Sequence, residues 1–122
     1  MINELSEKIH EVNVTNGFYE SKKNIGEMIA LIHSEVSEAL EADRKDRFTG
    51  PESITSILDI DDDVDFKAQF NNSVKDSFED ELADAMIRIM DLAAYMQIDL
   101  ESHINAKVRF NSLRPYKHGK KY

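Results

Sequence analysis

The sequence predicts an all-α fold in which four main helices form a bundle completed by oligomerisation, and three observations carry that prediction. Apolar residues recur at helical spacing in four separate segments. Asn24, Ser77 and Asp99 stand where helix-capping side chains belong, immediately ahead of three of those segments. Only 4 Gly and 2 Pro occur in 122 residues, so the chain carries few residues that interrupt helices.

The first helix is read from Ile2, Leu5, Ile9 and Val12 and ends near Asn16 and Gly17. The second starts after Asn24, which has Glu27 three residues on, as in a capping box. Ile25, Met28, Ile29, Ile32, Val36, Ala39 and Leu40 then keep a 3.6-residue period to about Lys45. From about residue 48 to 76 the period is lost. "TGPES" signals a turn, "DIDDDVDF" is a run of acids and "NNS" is loop-like, so this stretch is expected to be a long acidic connection with one short helix around Ser53 to Leu58. Ser77 caps the third helix, "FEDELADAMIRIMDLAAYM", and Asp99 caps the fourth, "LESHINAKVRFNSL", which stops before Pro115. A length of 122 residues fits one domain, 1–122, whose limited interior favours a partner to cover helices that are apolar on more than one side.

Charge narrows the classes of partner. Six of the 15 basic residues (Lys107, Arg109, Arg114, Lys117, Lys120 and Lys121) follow His103, where no Asp or Glu occurs, leaving nine against all 24 acids in residues 1–102. A chain so acidic is not expected to bind a nucleic-acid polymer. A small anion held by the basic end, with a cation bridging it to the acidic part, fits better. The absence of Cys excludes thiolate metal sites and cysteine nucleophiles. No apolar run is long enough for a membrane span, and a cytoplasmic location is the expectation.

Within the second helix, at about 100° per residue, Glu35 lies about 60° from Ile32 in the middle of the apolar stripe, and Glu38 about 60° further round. A carboxylate beside a buried stripe must be paired or must coordinate a cation, whereas Glu41 on the opposite face is simply hydrated. On the third helix Glu81, Asp84, Arg88 and Asp91 form one row, with Leu82, Met86, Ile89 and Ala93 on the other side. Each acid pair alone is most simply a solvated helix face. Two such pairs on antiparallel helices packed at about 8–10 Å can converge on one site, tolerable with cations between them, and an all-oxygen site suits Mg²⁺ or Mn²⁺. The acidic run lacks the central Gly and terminal Glu of a calcium loop. A di-iron bundle needs two Glu-x-x-His helices, and only Glu7 with His10 matches. His33 reads as a core-edge residue. On the fourth helix Lys107 and Asn111 are i, i+4 neighbours with Arg114 three residues beyond, a phosphate-binding combination or an ordinary basic helix end.

"EVSE" at 35–38, "ELAD" at 81–84 and "KVRFN" at 107–111, in that order, resemble the E-x-x-E, E-x-x-D and K-x-x-x-N elements of the MazG-like nucleotide pyrophosphohydrolases. The resemblance covers the second to fourth helices, and "RPYKHGKKY" is also similar to family text. It implies Mg²⁺-dependent cleavage of a nucleoside triphosphate to monophosphate and pyrophosphate in nucleotide-pool cleaning, by a homodimer or homotetramer. It further implies Glu35, Glu38, Glu81 and Asp84 as metal ligands, and Lys107 and Asn111, with Arg114, as phosphate-orienting residues. Glu38 is the expected proton acceptor. Phe18, Tyr19 or Tyr95 are candidates for stacking on a base. The 42 residues between Glu38 and Glu81 exceed the usual family spacer. Related activities on phosphoribosyl-ATP or deoxyuridine nucleotides share the same helix-borne design. The reading from a different class is a noncatalytic helical module whose acidic faces bind a basic protein.

Overall fold

A computed structural model describes residues 1–119 and 121; of the basic tail, Lys120 lies outside the described residues, as does the end of the "RPYKHGKKY" stretch. The described residues form six α-helices, a terminal 3-10 turn at Tyr116–Gly119, and no strand: α1 (Ile2–Thr15), α2 (Ile25–Arg44), α3 (Pro51–Leu58), α4 (Asp63–Ser73), α5 (Phe78–Tyr95) and α6 (Leu100–Ser112). The fold is all-α. None of the helices is long and apolar enough to cross a membrane. Contacts group into two compact units, residues 22–89 and residues 1–21 with the chain from Met90 onward, so α5 runs from one unit into the other.

The anticipated caps are made. Asn24 accepts from Glu27 N–H at 3.1 Å, Ser77 Oγ from Asp80 N–H at 3.2 Å, and Asp99 from Ser102 N–H at 3.0 Å. Each satisfies a backbone donor that has no partner inside its own helix. The helix ends share a device of their own. Beyond α1, α2 and α5 the chain turns through a left-handed residue, Gly17, Asp46 and Gln97 respectively. The next amide then reaches back to the carbonyl five residues earlier: Phe18 to Asn13, Arg47 to Ala42, and Ile98 to Ala93, at 2.8–3.0 Å. Gly17 adopts that conformation without steric cost, while Asp46 and Gln97 adopt it under the constraint of two closing hydrogen bonds.

The stretch 48–76 differs from the expected connection, since it folds into two helices. Pro51 occupies the first turn of α3, where its missing N–H costs nothing. The acidic run becomes the start of α4: Asp62 accepts from Asp65 N–H at 2.8 Å, and Asp63 and Asp65 sit at the positive end of the helix dipole. Phe66 and Phe70, one turn apart, have ring centroids 6.0 Å apart along α4. Thr49 ties the unit together: its backbone N–H donates to Glu79 Oε2 at 2.8 Å, and its hydroxyl oxygen lies within hydrogen-bond distance of Ser73 O and Ser77 Oγ, at 3.1 and 2.8 Å.

Two contacts give the register of α2 against α5 inside this unit. Arg47 O accepts from Phe78 N–H at 2.8 Å, and Glu35 accepts from Arg88. As one residue number rises the other falls, so the helices are antiparallel. That register sets Ala39 opposite Ala85, and both are buried. The buried residues are small, Ala39, Ala42 and Ala85 with Ile57 and Val74, while Ile25, Ile29, Val36 and Leu40, one stripe of α2, are 38–54% exposed. No large side chain is fully buried among the described residues.

In the other unit, Ile2 N–H donates to Glu101 at 2.6 Å, and Asn3 bonds both Asp99 Oδ1 and Glu101 N–H. These contacts join the first turn of α1 to the first turn of α6. Asp99 is held down to about 2, foremost by the Asn3 amide and then by Ser102.

Candidate metal centre

The Arg88–Glu35 and Phe78–Arg47 contacts fix α5 antiparallel to α2, and acids from the two helices meet. Glu35, Glu38 and Glu81 each offer a carboxylate oxygen, all within 4.8 Å of one another, a grouping that can hold a metal ion. Glu35 and Glu81 are each 6% exposed, whereas Glu38 is open to solvent. The position of Glu35 beside the apolar stripe therefore does correspond to burial. Glu41 is exposed and meets only Arg44 and Lys45, at 3.8 and 3.4 Å.

The electrostatics of the cluster are those of crowded acids. Glu81 is pushed up to about 7, by burial first, then by the charge of Glu38 and by hydrogen bonding to Glu38 and Glu35. Glu38 is raised by its hydrogen bond to Glu35 and by that group's charge. Burial works to raise Glu35 as well, but the Arg88 hydrogen bond, aided by Glu38, outweighs it and holds Glu35 below the usual carboxylate range. Arg88 Nε donates to Glu35 Oε1 at 2.6 Å. Among the described residues, Arg88 is the one cation paired with the trio, and it meets Glu35 alone; the oxygen donor set is that of a hard divalent cation. Asp84 is half-buried and raised, mainly by burial and then by Asp80 and Glu35, but its oxygens are not among those that meet within 4.8 Å.

The predicted phosphate-binding residues lie on and just beyond α6, in the unit that does not contain the carboxylates. Lys107 Nζ and Arg114 Cζ each stand 4.9 Å from the Phe110 ring centroid, so the exposed Phe110 is flanked by two cations, with Asn111 one turn on from Lys107. Tyr19 and Tyr95 pack together, ring centroids 5.1 Å apart, with Tyr19 edge-on to His10; Phe18 is exposed.

Two features lie outside the sequence reading. One is the contact of Arg88 with Glu35, which depends on a register between helices that a single helix cannot reveal. The other is a cluster around Asp91, which is 8% exposed and accepts from Tyr19 Oη at 2.6 Å and pairs with His10 Nδ1 at 2.8 Å. Burial and the bond to Asp91 both raise the Tyr19 phenol. In the sequence Asp91 stands in one row with Glu81, Asp84 and Arg88, away from the apolar side, and gives no signal of this cluster.

Comparison with protein-family models, curated proteins and solved structures finds no match. The MazG-like resemblance rests on the motif residues of the sequence alone.

Proposed function

We propose that the protein is a divalent-cation-dependent pyrophosphohydrolase of the MazG-like kind, cleaving nucleoside triphosphates to monophosphate and pyrophosphate. The observation that supports it is the convergence of Glu35, Glu38 and Glu81, from motif elements 42 residues apart, within 4.8 Å. Acids that merely decorate solvated faces have no reason to meet, with Glu35 and Glu81 buried and the Glu38 and Glu81 carboxyls raised.

On this reading Glu35, Glu38 and Glu81 hold Mg²⁺, or Mn²⁺ in its place, and Asp84 is the fourth ligand. Bound Mg²⁺ supplies neutralisation of phosphate charge and acidification of water. Glu38 is the exposed member of the trio and the one with room to accept a proton from the attacking water on a carboxylate oxygen. Its upward shift brings its proton affinity closer to neutral pH. Lys107 and Arg114 supply positive charge, and Asn111 an amide, to phosphate oxygens. The exposed α2 stripe of Ile25, Ile29, Val36 and Leu40 favours a homodimer or homotetramer in which a second copy completes the bundle.

The test is release of pyrophosphate and nucleoside monophosphate from a panel of ribo- and deoxyribonucleoside triphosphates, with Mg²⁺ and with chelator, alongside Glu38→Ala. The expected result is both products from at least one triphosphate, lost with chelator and reduced at least ~100-fold in the variant. Products confined to phosphoribosyl-ATP or deoxyuridine nucleotides would assign a sister activity. No turnover and no divalent-cation binding by folded protein would overturn the enzyme reading in favour of the acidic binding module.

A further inference from the structure

Arg88 keeps binding capacity that its contact with the cluster does not use. Its Nε is bound to a Glu35 side chain that is only 8% exposed, yet its own side chain is 41% exposed. A guanidinium has five N–H donors in a rigid plane, and fixing Nε fixes the direction of the other four. Among the described residues, Glu35 is the sole protein partner that Arg88 has, and no buried side-chain nitrogen lacks one, so the terminal amino groups reach solvent. The Arg88 charge is also felt at Asp84, whose rise it opposes. A planar, oriented, solvent-facing cation fork therefore stands beside Glu35 at the carboxylate cluster, with its charge reaching Asp84.

Resting on the pyrophosphohydrolase reading, we infer that Arg88 is a further substrate-binding residue: Glu35 holds Nε, and the two terminal amino groups bind a phosphate oxygen pair of the triphosphate seated at the carboxylates. A structural ion pair would need only the one contact it already makes. The fork is pre-oriented by a buried partner, so little side-chain freedom remains to be lost when phosphate binds. An exposed lysine at this position would offer the charge without the paired donors.

The experiment compares wild type, Arg88→Lys and Arg88→Ala at pH 8, each verified as folded by circular dichroism. Two probes are used: Mn²⁺ alone, followed by electron paramagnetic resonance, and an α,β-methylene deoxynucleoside triphosphate titrated calorimetrically in Mg²⁺. The expected result is Mn²⁺ affinity retained or increased in both variants, analogue affinity lowered about 10- to 100-fold in Arg88→Ala, and an intermediate loss in Arg88→Lys. Should Arg88→Ala not fold, the Arg88→Lys titration decides alone, with unchanged analogue affinity as the overturning result. Analogue affinity unchanged in Arg88→Ala overturns the inference and leaves the enzyme reading standing. Mn²⁺ and analogue binding lost together also overturns it, since Arg88 would then act only by holding Glu35. Wild type that binds neither probe and hydrolyses nothing removes the enzyme reading, and this inference with it.

Discussion

Helix α5 carries two buried acids ten positions apart, Glu81 and Asp91, and their surroundings are opposite in kind. Asp91 is met by donors: the Tyr19 hydroxyl on one oxygen and the His10 ring on the other. Glu81 is met by other acids, Glu35 and Glu38. Burial alone therefore does not distinguish a structural carboxylate from a functional one; the identity of its neighbours does. A carboxylate surrounded by donors is complete, while one surrounded by carboxylates retains an affinity for positive charge. In the sequence the two residues stand in a single row with Asp84 and Arg88, and nothing in that row separates them.

The sharpest way to break this comparison is to neutralise each acid in turn. Glu81→Gln is expected to lower Mn²⁺ affinity by at least ~10-fold while leaving thermal stability unchanged or raised, because it removes like-charge repulsion along with a ligand. Asp91→Ala should do the reverse, costing about 1–3 kcal/mol by leaving Tyr19 and His10 without their acceptor, with Mn²⁺ affinity unaltered. Calorimetric melting and Mn²⁺ titration of both variants decide it; equal effects on both properties would collapse the distinction.

A pH series sharpens the same contrast. Folding raises the Glu81 carboxyl from 4.5 to about 7, so the folded chain holds a proton there that the unfolded chain releases. That contribution to stability is fully present below about pH 4.5 and is lost as pH rises through about 7. In chelator, melting temperature should therefore decline across this window, the decline should flatten in Glu81→Gln, and added Mg²⁺ should restore more stability at pH 8 than at pH 5.5. A wild-type profile identical to that of Glu81→Gln would remove the crowded-acid account. The smallest effect is reserved for Glu41, which shares the repeat of Glu35 and Glu38 but pairs only with surface cations. Glu41→Ala should change stability by less than about 0.5 kcal/mol and leave Mn²⁺ binding alone, as read by the same two measurements.

How far the sequence was legible follows from the same local physics. α2, α5 and α6 were readable because period and cap agree at Asn24, Ser77 and Asp99, and α1 because its period stops at Asn16 and Gly17. α3 and α4 were hidden because Gly50, Pro51 and the aspartates around 61–65 serve equally as loop signals and as helix starts, and the weak amphipathicity of α4 offers nothing to decide between them. Gly17 advertised its helix end, whereas Asp46 and Gln97 take the same left-handed turn without glycine. The acid pairs were visible as i, i+3 spacing on each helix. Which members converge was not, because the convergence of Glu81 and the outlying position of Asp84 depend on the packing of α5 on α2. The grip of Arg88 on Glu35 was hidden for the same reason.

The buried alanines beside the carboxylates have a consequence of their own. Ala39 and Ala85 carry no chemistry, yet each is buried on its helix one turn from a cluster carboxylate, Glu35 and Glu81 respectively. Small cations demand short, near-octahedral oxygen contacts and larger ones tolerate a wider, looser shell. Side-chain volume at two inert positions is thus a dial for ionic radius: adding methylenes there would widen the opening toward calcium-sized ions without touching a single ligand.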